Sequence, residues 1–207
     1  MPKKIDHDER KEKILQTALK VFAREGYRDS NLSLIAQECG ISRPTIYQYF
    51  KDKEEIYYYA VKLVTGRMFN KYAQYAWSSP DDELDRIITI CNDIMDTAVL
   101  HTGEITSLVD VMIQMKREGR DFSSIIMRRT AKLNILFKRI LRVGISKGTV
   151  IQCQIDKVTA HIVILLESFC FQLAFLDSYD MDLAKELVSN YLEFFKTKPD
   201  STGVVPR

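Results

Sequence analysis

An all-α fold of about nine helices is the architecture this sequence predicts: a three-helix unit containing a helix-turn-helix at the amino end, followed by a larger helical unit. Three observations carry that expectation. Gly and Pro are scarce, eight and five in 207 residues, and no short β-branched runs alternate between turn signals as a sheet would require. Apolar residues instead recur three and four apart through most of the chain. The stretch Ser30 to Lys53, SNLSLIAQECGISRPTIYQYFKDK, joins two short helical patterns across a tight corner. With 46% hydrophobic and 28% charged residues, the chain can fill one sizeable core or two unequal domains. The expected units are residues 1–53 and 54–198, with 199–207 a disordered tail.

Met1 to Asp8 is a polar lead. The first helix follows from about Glu9 to Glu25, where Ile14, Leu15, Ala18, Leu19 and Phe22 form one apolar stripe, and Gly26 closes it. Ser30 and Asn31 cap a second helix, residues 32–39, in which Leu32, Ile35 and Ala36 keep helical spacing. Gly40 supplies the left-handed backbone that ends it, and Ile41 anchors the corner. Ser42 then offers its hydroxyl to the orphan amides of a third helix, Arg43 to Phe50, with Ile46 and Phe50 turned to the core. Two turns bury too little to stand alone, so this helix is held up by neighbours and kept for what its outer face touches. That face carries Arg43, Thr45, Tyr47, Gln48 and Lys51.

Asp52 with Glu55 three residues on resembles a capping box, so a fourth helix starts at Lys53 and runs to about Trp77, about 35 Å long. Its first turns finish the amino-terminal unit, and Val61, Val64, Met68, Tyr72 and Tyr75 form a stripe entering a second core. Ser78-Ser79-Pro80 breaks it and caps a fifth helix, with Pro80 in the first turn and Asp81, Asp82 and Glu83 at the positive end of the dipole. The carboxylates of this helix fall on its solvated side, opposite Leu84, Ile87, Ile88, Cys91, Ile94, Met95, Ala98 and Val99. A sixth helix spans Glu104 to about Lys116, and a seventh runs from beyond Gly119 to about Lys147 with Leu133, Phe137, Ile140, Leu141 and Gly144 on one face. Gly148 to Ile155 leads into an eighth helix capped by Asp156. From Val158 to Leu176 that helix is apolar on almost every side, so it needs cover all round: its own fold on one side and a second copy of the chain on the other. A ninth helix, Asp182 to Lys196, carries Ala184, Leu187, Val188, Tyr191 and Phe195 on one stripe. The last two helices from each of two copies make a four-helix bundle, with Leu165, Phe169, Leu187 and Tyr191 as the expected contacts.

The outer face of the third helix has donors and flat amphipathic rings of the kinds that reach base edges and phosphates in a major groove. Gln48 can pair bidentately with adenine, and Thr45 can pack on a thymine methyl. Arg43 either reads guanine or clamps a phosphate; Tyr47 either meets the duplex or lies on the protein surface; Tyr49 either packs or meets a phosphate. Ser30 and Asn31 either cap alone or also hold a phosphate, and the polar lead with Lys3 and Lys4 is either a solvated terminus or an arm on the same duplex. A net charge of +2 excludes a polycation that coats nucleic acid. Binding must come from a local patch, where Arg43, Lys51 and Lys53 outnumber Asp52.

The same residues carry a family resemblance. Gly26-Tyr27, the polar pair Ser30-Asn31, Ile35-Ala36, Gly40-Ile41-Ser42, Thr45-Ile46-Tyr47, Tyr49-Phe50 and Lys51-Asp52-Lys53-Glu54 resemble, in order and spacing, the N-terminal DNA-binding domain of the tetracycline-repressor (TetR) family. The polar pair is usually two threonines, and small or basic residues are common where Arg43 and Pro44 stand. Beyond the first quarter of the chain, only length and helical character agree. The resemblance implies a homodimer on a double-stranded DNA operator, contacted by Ser30, Asn31, Ser42, Arg43, Thr45, Tyr47, Gln48, Tyr49, Lys51 and Lys53, the last pointing its ammonium at the DNA backbone. It also implies an effector pocket framed by the fourth, fifth, seventh and eighth helices. Met68, Tyr72, Cys91, Met95, Phe137 and Phe171 suit its lining, although a stripe of Met and aromatics is more often plain core, and the implied effector is a small, largely apolar molecule. Glu167, a charge on an apolar helix, either pairs with Arg139 or Arg142 or faces that cavity and meets a polar or cationic ligand.

The four cysteines, Cys39, Cys91, Cys153 and Cys170, are far apart and form no CxxC pair, so reduced, mostly buried thiols are expected. Met1 to Lys13 is charged rather than apolar, unlike a secretory leader. The most apolar run, Ile162 to Leu176, is interrupted by Glu167, Ser168 and Gln172 and falls short of a bilayer span. These features predict a soluble cytoplasmic protein with no membrane partner. No HExxH, ExxH, GxSxG, GxGxxG or P-loop occurs, and His7, His101 and His161 are widely spaced. No enzyme, metal site or cofactor is therefore expected. The sequence reads as a homodimeric transcriptional regulator, most often a repressor, released from a palindromic operator by its ligand. The alternative is an architectural or division-associated DNA-binding protein on the same fold with no effector.

Overall fold

Side-chain caps at Asn31, Ser42, Asp52 and Asp180 set the starts of four helices in the computed structural model, which describes residues 7–119, 123–176 and 179–197. The described residues form an all-α fold of nine helices: α1 (His7–Asp29), α2 (Leu32–Cys39), α3 (Arg43–Tyr47), α4 (Lys53–Ser78), α5 (Glu83–Leu100), α6 (Thr102–Arg117), α7 (Ser123–Lys147), α8 (Ile155–Phe175) and α9 (Met181–Glu193). Extended pairing among them is limited to one antiparallel bridge, Val150 with Lys196, which ties the α7–α8 connector to the end of α9. The expected tail, and most of the polar lead, lie outside the described residues; His7 and Asp8 already belong to α1.

Two apolar cores result. The first gathers Ile14, Leu15, Ala18, Val21 and Phe22 of α1, Ile35 and Ala36 of α2, Ile46, Phe50, and Ile56, Tyr57, Ala60 and Val61 of α4. Phe22, Tyr27 and Tyr57 form an aromatic triangle at its centre, with ring centroids 5.2 to 5.5 Å apart. Val111 and Met115 of α6 complete it, so this core reaches past the amino-terminal quarter of the chain. The second core takes Tyr72 and Ala76 of α4 with the apolar faces of α5, α7, α8 and α9. α4 therefore runs through both cores, as its length predicts.

Several expectations are corrected. Pro80 lies outside α5, which starts at Glu83 with Asp82 as a cap that makes no side-chain hydrogen bond; Ser79 and Tyr75 instead hold the Asp81 carboxylate in the connector. Val64, placed on the buried stripe of α4, is exposed, because the stripe drifts around so long a helix. Asp156 sits in the first turn of α8 rather than capping it. Glu83 is buried, not solvated: Lys147 pairs with it at 2.8 Å and the Thr149 hydroxyl donates to it at 2.7 Å. Gly144 leaves the space for this arrangement, since a Cβ there would run into Val150 and Glu83. Finally, the apolar run of the eighth helix sits in a helix of 21 residues, long and apolar enough to cross a membrane, of which one face is packed inside this fold.

Candidate nucleic-acid interface

The corner between α2 and α3 is built by two short backbone bonds. Gly40, at φ 67°, donates to the Gln37 carbonyl at 3.0 Å, and Ile41 donates to the Ala36 carbonyl at 3.0 Å, the six-to-one and five-to-two pattern that ends a helix through a left-handed residue. Ser42 begins the next helix by accepting from the Thr45 amide at 3.3 Å, with Pro44 in the first turn. Ile46 and Phe50 are buried beneath, as predicted. α3 ends at Tyr47, earlier than the expected Phe50, and Gln48 and Tyr49 continue in a turn, closed by the Phe50 amide on the Ile46 carbonyl at 3.1 Å, that still carries Phe50 inward.

This geometry leaves Asn31, Ser42, Arg43, Tyr47, Gln48 and Lys51 exposed near one another along the chain. Tyr47 is 47% exposed above the buried Ile46, and the Arg43 guanidinium lies 6.0 Å from its centroid. Lys51 has only a loose pairing with Asp52, at 3.8 Å. Asn31 caps α2 by accepting from the Leu34 amide at 2.9 Å, which leaves its remaining groups facing outward. Thr45 is half-buried with its hydroxyl 2.8 Å from that of Ser42, so both side chains are engaged in starting the helix. Tyr49 is half-buried and stacks on His7 at 4.5 Å, a contact that brings the start of α1 beside the end of the helix-turn-helix and that no sequence pattern signalled.

Two residues expected at the same surface point the other way. Ser30 is buried, and its hydroxyl donates to the Tyr27 carbonyl at 2.7 Å, closing the turn after Gly26 instead of capping α2 or meeting a phosphate. Lys53 turns its ammonium inward onto the carbonyls of Tyr27, Arg28 and Ser30 and over the Tyr27 ring, 4.4 Å from its centroid. Burial pushes this ammonium below the usual lysine range, an effect opposed by Asp29, Glu54 and Glu118. Asp52 does cap α4, accepting from the Glu55 amide at 2.7 Å, but Glu55 reaches back to the Lys51 amide rather than to that of Asp52.

In the carboxy-terminal half, Tyr72, Cys91, Met95 and Phe137 are at most 4% exposed and Met68 packs against them, so the residues expected around a pocket form a filled core. The Tyr72 hydroxyl donates to Asp93 at 2.8 Å. Phe171 is 61% exposed and cannot line an interior cavity, and Glu167 is exposed on the same helix, pairing with neither Arg139 nor Arg142; its apolar surroundings push its carboxyl above the usual range. Phe169 is instead buried within the chain, with its ring on Tyr179. The outward residues of α8 are Ile164, Phe171 and Phe175, and those of α9 are Leu183 and Leu187, with Leu176 and Phe194 just past the two ends. Leu165 and Tyr191 are half-buried, and the Tyr191 hydroxyl lies 2.9 Å from His161 Nδ1, which brings the start of α8 beside the end of α9. Periodicity could not have picked these residues out, because α8 is apolar in every direction.

Residues 14–59 match the family described as bacterial regulatory proteins, tetR family. A stretch of 64 residues is 38% identical to the uncharacterized HTH-type transcriptional regulator YerO of Bacillus subtilis, spanning 31% of this chain and 22% of that protein. A second match from the same organism, PksA, is 30% identical over 37% of each chain, so these matches span well under half of the relatives' length. YfiR, also uncharacterized, aligns over 95% of this chain and 87% of its own at 25% identity. Among solved structures, a TetR transcription regulator from Haloarcula marismortui superposes with a TM-score of 0.81 at 16% identity, covering 91% of this chain and 99% of that one. FadR from Bacillus subtilis, solved in complex with stearoyl-CoA, gives 0.70 at 19% identity, covering 87% and 96%. At these identities the structural likeness establishes the fold.

Proposed function

Since the chain belongs to the tetR family of bacterial regulatory proteins, we propose that it is a DNA-binding transcriptional regulator acting as a homodimeric repressor on a palindromic operator. The observation that carries this reading is the outward face of α3: Arg43, Tyr47 and Gln48 stand exposed over a corner whose Ile46 and Phe50 are fully buried. A helix so short, held from below and polar above, is suited to enter a major groove. Gln48 and Tyr47 meet base edges or phosphates, Arg43 and Lys51 meet the backbone or guanine, and Asn31 with the first amides of α2 faces a phosphate. Ser42, Thr45 and Tyr49 serve mainly to shape that helix.

The exposed apolar residues of α8 and α9 support dimerisation, because Ile164, Phe171, Phe175, Leu183 and Leu187 lie in water in a single chain. A largely apolar effector is the proposed signal, of the type that the stearoyl-CoA complex of the Bacillus subtilis FadR illustrates for that protein. Its binding has to open the packed region around Tyr72, Met95 and Phe137, which makes induction a shift toward a less populated, open form. The filled state of that region equally favours the second reading, a DNA-binding protein on this fold that takes no effector. A panel of acyl and other apolar compounds separates the two: a rise in melting temperature with loss of DNA supports the first.

The test of the main reading is selection of duplexes from a random pool by the purified protein, followed by titration of the enriched duplex. One inverted repeat should emerge, and Tyr47→Ala should weaken binding to it by about 1 to 3 kcal/mol with the dimer intact. No enrichment, or unchanged affinity of the variant, contradicts the assignment.

A further inference from the structure

Lys53, half-buried beside the helix-turn-helix, turns its ammonium onto backbone carbonyls of its own chain. Its Nζ donates to the carbonyls of Tyr27 at 2.6 Å, Ser30 at 3.0 Å and Arg28 at 3.2 Å, with the Tyr27 ring 4.4 Å away. An ammonium has three N–H bonds, and here each has a carbonyl. None is left for a phosphate unless one of these contacts breaks. The carbonyls are those at the end of α1 and at Ser30, directly before Asn31, the cap of α2. Such groups lack helical partners and attract a cation. Lys53 itself is the first residue of α4, whose position is fixed by the Asp52 cap. One side chain thus fastens the start of the long helix to the junction between α1 and α2.

We infer that Lys53 is a positioning residue: it sets the angle of the α2–α3 corner on α4 and so raises DNA affinity without touching the DNA. This rests on the DNA-binding reading above and deepens it. Movement of α4 is passed through three hydrogen bonds to the α1–α2 junction, and through the apolar core, so that the corner travels with the rod. The assignment differs in kind from that of Lys51, an exposed ammonium with a loose acidic neighbour and free donors.

Salt dependence separates the two roles. Each phosphate neutralised by a side chain contributes about 0.9 to the slope of log affinity against log salt, whereas a residue acting through geometry contributes nothing to the slope. The full chain and its Lys53→Met and Lys51→Gln variants are titrated across a KCl series on the duplex that the wild-type protein enriches. Folding of each is checked by circular dichroism and by a melting point well above the assay temperature. Lys53→Met should bind on the order of tenfold more weakly at every salt concentration, an effect of ~1.4 kcal/mol, on a line parallel to wild type. Lys51→Gln should give a flatter line. A flatter line for Lys53→Met makes it a phosphate contact and overturns the inference; unchanged affinity in a folded variant reduces it to a structural residue and overturns it equally. Should Lys53→Met fail to fold, Lys53→Gln, whose amide keeps two N–H bonds, is read by the same criteria. Wild-type protein that enriches no duplex removes the DNA-binding reading itself, and the inference with it; altered slopes in a wild type that binds remove only the inference.

Discussion

Glu83 shows how a single carboxylate can be committed to structure rather than to solvent. Burial alone pushes its carboxyl up, but the Lys147 ammonium, the Thr149 hydroxyl and its own backbone amide outweigh that and hold it below the ordinary carboxylate range. A depressed folded pKa adds stability that is present above the unfolded value and is lost as pH falls through the folded one. Glu83→Gln should therefore lower stability by about 1 to 3 kcal/mol at neutral pH, tempered by the half-exposed lysine end, with the gap to wild type closing as acid protonates the carboxylate. Denaturant melts at pH 7 and at successively lower pH read this directly; a gap that does not depend on pH would remove the ion pair from the account. At this scale the sequence was legible where chemistry is local. Asn31, Ser42 and Asp52 cap as their types and positions predict, because a cap depends on residues within one turn. Lys53 and Glu83 were not legible, since the partners that turn them inward come from other parts of the chain: Lys53 meets Tyr27, 26 residues away, and Glu83 meets Thr149, 66 residues away. Ser30 has a local partner, Tyr27, but a hydroxyl before a helix can bond forward to a helix amide or back to a carbonyl from the same position in the sequence.

Among the helices, α8 carries two opposed faces with different jobs. Phe169 and Leu166 pack into the chain's own core, while Ile164, Phe171 and Phe175 stand outside it. Substitution by Asp should distinguish them. Phe169→Asp is expected to prevent folding, because it buries an unpaired charge, whereas Phe171→Asp is expected to give a soluble, helical monomer. Light scattering with circular dichroism checks both; a Phe171→Asp variant that is still dimeric at micromolar concentration moves the contact elsewhere. The order and approximate extent of the helices could be read from apolar spacing. What could not be read is which side of an all-apolar helix meets which neighbour, as this depends on the approach of α6 and α7 rather than on α8 itself. For the same reason apolar spacing puts Phe169 on the outer surface and Phe171 on an inner one, the reverse of their places in the fold.

The molecule as a whole is two cores joined by α4 and α6. α4 leaves the first core at Val61 and enters the second at Tyr72, and α6 places Val111 and Met115 in the first core while Ile105, in its first turn, packs against the second. Displacement of the second core must therefore reach the helix-turn-helix by two helices at once. In a dimer that displacement changes the separation of two recognition helices, which have to match successive major grooves about 34 to 36 Å apart. The helix-turn-helix was evident in the sequence because a corner of this kind needs particular residues at fixed spacing. The closed packing around Met95 and Phe137 was not, since a Met and aromatic stripe lines a cavity or fills a core with the same periodicity. In both halves of the proposed dimer the outer face of α3 should lie against DNA. A photo-cross-linking side chain placed at position 48, with its adducts mapped on the enriched duplex, tests this directly. Adducts at two symmetric sites about one helical turn apart are the predicted result; efficient binding with no adduct from position 48 would contradict it.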